Sequence, residues 1–171
     1  MSAASVRTEG EPMAFTGGEF MRGALTAAVA YLAIVLLVFL LSAMSEATQP
    51  GMTLIVLTMV LAYGLPIALL AMLVGAAPAY AIGRTLRSVR PVWIHLSVFA
   101  AYGALVAGAT VGVLALTGFP FLSAGEPLGV LLFVAPGMIA VPTGWWHAYR
   151  TAIRIERRGW RRPRHDPDAA E

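Results

Sequence analysis

Between residues 23 and 149 formal charge is confined to five positions, Glu46, Arg84, Arg87, Arg90 and Glu126, which divide the chain into four uncharged runs. A helix crossing a bilayer needs roughly 20 apolar residues at about 1.5 Å rise each, and every run is that long. Their side chains are apolar all round rather than alternating, so helices are expected instead of barrel strands. Lipid also requires each spanning segment to satisfy its own backbone polar groups. With 58% hydrophobic and 12% charged residues, against about 25% charged in soluble domains, a water-soluble fold is disfavoured. The expected architecture is an all-α integral membrane protein with spans at about 23–44, 53–83, 92–116 and 128–148. These lie in a transmembrane domain of residues 20–149, between a mobile tail at 1–19 and a basic tail at 150–171.

Arginine placement orients the spans. The turns at 45–52 and 117–127 carry no arginine, whereas "RTLRSVR" carries three and the tail after Tyr149 seven. Both termini are therefore expected in the cytoplasm of a cell whose plasma (inner) membrane holds the protein. Trp93, Trp145, Trp146 and Trp160 fall on that same side, as an interfacial aromatic belt would. The halves read as two helical hairpins of like design, each returning through a proline-containing span.

Chemistry-bearing residues are sparse. No ionisable group sits deep in a span, where proton relays and ion-coupled carriers place them. His95 and His147 lie about one turn inside the arginine-rich boundary, where solvation is expected; a facing pair of titrating histidines is the alternative. There is no cysteine, and no metal site, cofactor site or catalytic motif is recognisable. Enzymatic activity is accordingly not expected.

The recurring pattern is steric. Steps of three or four along span two join Gly64, Ala68, Ala71, Gly75, Ala79 and Gly83; in span three they join Ala100, Ala104, Gly108 and Gly112. Span four adds Ala140, Gly144 and Ala148. Small residues on one helix face let backbones approach closely enough for van der Waals contact to drive association in lipid. The reading is that spans two and three form a tight hairpin, with a homo-oligomer or another membrane protein as the alternative partner of either stripe.

Pro66, Pro78, Pro136 and Pro142 interrupt spans two and four, each removing a backbone donor and freeing a carbonyl. Kinks are the expected consequence, and a solute pathway between the two broken helices is the alternative. Beyond span four a basic interfacial C-terminal helix is expected, leaving the membrane and continuing along its surface, with Arg150, Arg154, Arg157, Arg158, Arg161 and Arg162 clustered just outside the apolar run. Such clusters attract anionic lipid at about 1 kcal/mol per basic residue. Nucleic acid is not an expected partner of so short a tethered tail. Outside the membrane on the other side, Ser123 and Glu126 have capping-box spacing.

These readings make the chain a non-enzymatic polytopic membrane protein, working as an assembly or accessory subunit through its small-residue faces. A small transporter or channel-forming subunit is the competing reading.

Overall fold

The computed structural model describes residues 13–45, 50–118 and 127–160, and these are helical apart from short connections. α1 is Gly17–Ser45, α2 is Pro50–Met59, α3 is Leu65–Thr85, α4 is Val92–Leu116 and α5 is Pro127–Trp160. One π-helical turn, Val60–Gly64, joins α2 to α3 without a break. Four helices are long and apolar enough to cross a membrane: Gly17–Leu41, Val60–Thr85, Val92–Leu116 and Val130–Ile155. No strand occurs among the described residues.

Local chemistry sets the boundaries. α1 begins with a reciprocal cap: the Thr16 amide donates to Glu19 Oε2 (2.9 Å) and the Glu19 amide to Thr16 Oγ1 (3.2 Å). This satisfies two donors that a helix start leaves unpaired. Residues 13–16 thus belong to the bundle. Met13 and Ala14 are buried, and the Met13 amide donates to the Arg87 carbonyl (3.1 Å). α4 starts just after Pro91, whose extended backbone (φ −66°, ψ 115°) cannot continue the preceding turn. It ends at Leu116; two residues on, Gly118 takes a φ of 72° that suits a residue without Cβ. The long uncharged run of residues 47–83 is accommodated by continuous helix from Pro50 onward, widened at the π-turn that precedes Pro66. The Ser123–Glu126 spacing lies outside the described residues.

α5 packs along both α1 and α4, while α3 touches α1 and α4 at fewer points. The helices therefore neighbour one another in the cyclic order α1, α5, α4, α3.

The α5 contacts are close because they are built on glycine. A Cβ on Gly137 would meet the Gly103 carbonyl oxygen at 2.7 Å and the Ala107 Cβ at 2.8 Å; one on Gly103 would collide with the Gly137 carbonyl. The second crossing repeats the first. A Cβ on Gly144 would strike the Gly23 carbonyl, and one on Gly23 would stand 3.3 Å from the Gly144 carbonyl oxygen. In each pair the Cα–H of one glycine faces the carbonyl of the other, an arrangement worth about 0.5–1 kcal/mol per contact. Gly137 and Gly144 are two turns apart on one face. One face of α5 thus meets α4 at one level and α1 at another.

Candidate functional site

The four spans border a half-open recess of about 170 Å³, walled almost wholly by hydrocarbon. Its position follows from the packing just described. α5 holds α1 and α4 on either side of it, and α3 borders the opposite side, touching both more sparsely. Small side chains make the void: Ala27 and Ala28 on α1, Ala71 and Ala76 on α3, Ala107 on α4, Ala140 on α5. The lining includes residues near the middle of every span, such as Tyr31, Met72, Val106 and Val141.

α3 is fastened at two levels. Near its middle, Tyr102 of α4 donates a hydrogen bond to the Gly75 carbonyl (2.6 Å). Pro78 removes the donor that would have bonded the adjacent Val74 carbonyl, so the tyrosine supports the helix where its own ladder is weakened. At the arginine-bearing end, Phe15 from the segment before α1 lies so close to Gly83 that a Cβ there would meet its ring at 2.5 Å. Phe15 also packs edge-on against Tyr80 (5.7 Å between centroids), and Phe20 packs edge-on against the same ring (5.3 Å). This aromatic cluster roofs the cavity at that end, since Phe15 and Phe20 both line it.

A second aromatic group stands between α4 and α5. The His95 ring stacks on Trp145 (4.8 Å, 11°), and Trp145 stacks on Tyr149 (5.3 Å, 4°). His95 is 1% exposed, which corrects the expectation of a solvated interfacial histidine. Its Nε2 lies 2.9 Å from the Val89 carbonyl. A carbonyl can only accept, so Nε2 carries the proton and holds the α3–α4 turn against the start of α4. Nδ1 is buried without a hydrogen-bond partner among the described residues. His147 is exposed on α5 and faces a different recess, shared with Glu19 and Arg22. The two histidines do not form a pair.

The small-residue stripes divide between different surroundings. On α3, Ala68, Ala71, Gly75 and Ala79 line the cavity and Gly83 lies under Phe15. Gly64 meets only its own helix, at Val60. On α4 the buried residues are His95, Phe99, Gly103, Ala107 and Val111, a row displaced by one position from Ala100, Ala104, Gly108 and Gly112. Cβ atoms built on Gly108 and Gly112 meet nothing within 4 Å. The close backbone approaches accordingly lie between α5 and its neighbours, through Gly23, Gly103, Gly137 and Gly144, rather than between α3 and α4. Of these only Gly144 stands in a stripe legible by counting in fours; the others become recognisable once their facing carbonyls are known.

None of the four span prolines lines the cavity. Pro136 is buried, Pro142 half-buried, and Pro66 and Pro78 exposed. In the basic segment, Arg150 and Arg154 are exposed on α5, and Arg150 lies 4.4 Å over the Trp146 ring. Arg157 and Arg158 continue the same helix, and Arg161 and Arg162 lie beyond the described residues. No cluster of three metal-ligating side chains occurs among the described residues.

No family model, curated protein or solved structure matches the chain.

Proposed function

We propose that the chain is a multi-pass membrane protein without catalytic activity, acting as an assembly or accessory subunit that joins another transmembrane helix through the outer face of α4. The observation that carries this reading is the open space at Gly108 and Gly112. The bundle uses the neighbouring row of α4 for its own packing and leaves these two glycines bare. Leu105 and Val113 beside them are exposed as well. In lipid such a surface gains nothing from hydrophobicity and attracts a partner by allowing close backbone approach. The partner is a helix of a second copy or of another membrane protein.

In this reading both termini face the cytoplasm of a cell whose inner membrane carries the protein. The arginines from Arg150 onward then lie against anionic headgroups. The continuation of α5 past Ile155 in one helix, with Arg150 and Arg154 exposed, supports a basic surface segment of this kind.

The test is Gly108→Leu combined with Gly112→Leu in the full chain, followed by co-purification and cross-linking from mild detergent. A Cβ at either position meets nothing within 4 Å, so thermal stability should change little while association is lost. Retained association with unchanged stability would overturn the assignment of this face.

A further inference from the structure

A second recess, of about 310 Å³, opens between the start of α1 and the last membrane-crossing turns of α5. Its place follows from the glycine crossing of these two helices. A Cβ on Gly23 would stand 3.2 Å from the Ala148 Cβ, so Arg22 and His147, the residues before them, are brought to one site. Small residues leave the room: Ala148 and Ala152 form part of the α5 wall, and Ala152 is buried. The wall also carries both signs of charge and further donors, Glu19 and Arg22 from α1, His147 and Thr151 from α5. The recess lies at the ends of the first and fourth spans, at the depth of lipid headgroups. Leu25 and Val29, three and seven residues past Arg22, continue the same face of α1 into the span and are exposed.

We propose that this recess binds one phospholipid whose zwitterionic headgroup ends in a primary ammonium. Its phosphate rests on Arg22, His147 and Thr151, its ammonium on Glu19, and an acyl chain runs along Leu25 and Val29. Charge complementarity selects the class. A guanidinium only donates, and the histidine ring and the threonine hydroxyl each add a donor, so a phosphate finds partners on two helices. Glu19 accepts from the Thr16 amide in its helix cap, and a carboxylate with about four lone-pair sites accepts several donors together. An anionic headgroup would set like charge against Glu19, and a quaternary ammonium has no N–H to give it. Water hydrates either charge alone, whereas one lipid meets both and covers the apolar track beside them. The assignment depends on the spans crossing a bilayer and not on the accessory role proposed above.

The probe is a phosphatidylethanolamine with a diazirine in one acyl chain, irradiated with the full chain in phosphatidylcholine vesicles and its adducts mapped by peptide mass spectrometry. Adducts at Leu25 and Val29 are expected against the excess of phosphatidylcholine. Unlabelled phosphatidylethanolamine should displace them at about a fifth of the concentration that phosphatidylglycerol requires, equivalent to one hydrogen bond of ~1 kcal/mol. Glu19→Gln keeps the reciprocal cap, which glutamine also makes, and should remove this difference in a protein that still unfolds cooperatively. Arg22→Gln should lower the adduct yield at both positions. Soluble phosphoethanolamine lacks the acyl chains and should not compete; displacement at the same concentration as the lipid would overturn the lipid assignment. Adducts no stronger at Leu25 and Val29 than at outward residues such as Leu105 and Val113 would overturn the proposal. So would displacement by phosphatidylglycerol at equal or lower concentration, or a preference that survives Glu19→Gln.

Discussion

α5 and α3 stand on opposite sides of the same cavity and are attached to α1 and α4 by different means. α5 is seated by glycines whose Cα–H groups face carbonyls of the neighbouring helices, at Gly103–Gly137 and Gly23–Gly144. α3 carries as many small residues, yet Gly75 and Gly83 meet side chains of Tyr102 and Phe15 rather than backbone, and Ala68, Ala71 and Ala79 border the recess. It is held by one tyrosine hydrogen bond and by an aromatic cluster at its end. Small residues alone therefore do not produce close packing. A glycine opposite a carbonyl does so, whereas an alanine opposite an alanine on helices already held apart leaves a void.

Substitutions can break this contrast. Gly137→Leu forces a side chain into the backbone of α4, and because backbone cannot swing aside the cost should reach about 3 kcal/mol or more. Thermal unfolding in detergent and the yield of folded protein should both collapse, whereas Ala71→Leu on the cavity wall should leave them nearly unchanged. Equal damage from the two would erase the distinction between the sides. Phe15→Ala removes the cluster that ties α3 to the segment before α1, for an expected loss of roughly 2 kcal/mol, below the value for a fully buried phenylalanine. Amide hydrogen exchange should then accelerate in residues 76–85 and stay slow in α5. Tyr102→Phe deletes the bond to Gly75 for about 1 kcal/mol; faster exchange around Gly75, beside the proline gap, is the readout. The smallest effect belongs to Gly108→Ala, where the added methyl meets open space. Stability should move by less than about 0.5 kcal/mol in either direction.

The helices were legible in the sequence because charge and proline mark their ends. Val92–Leu116 begins just after Pro91 and coincides with the expected third span, and α5 runs without a break from its apolar part into the helical basic segment expected after it, as far as Trp160. Faces were harder to read. α4 is apolar all round, and its small residues form two adjacent rows at spacing four, 100–104–108–112 and 103–107 continued by Phe99 and Val111. Counting selects the longer row. Which row turns inward depends on where the carbonyls of α5 lie, and that is a property of two helices together. The start of α1 was hidden for another reason: Thr16 and Glu19 have capping spacing, but the two glycines between them resemble a loop. His95 looked like an interfacial residue because it lies near a boundary by sequence, whereas Trp145 of a later helix covers it.

The dependence of both α1 and α4 on α5 bears on how the chain is made. The first span leaves the ribosome early and must wait for the last one before Gly23 meets Gly144. Until then α1 and α4 expose their glycine seams to whatever else is inserting nearby. A chain stopped before α5 would present two unpaired seams at once, the kind of lesion that membrane quality control is positioned to detect.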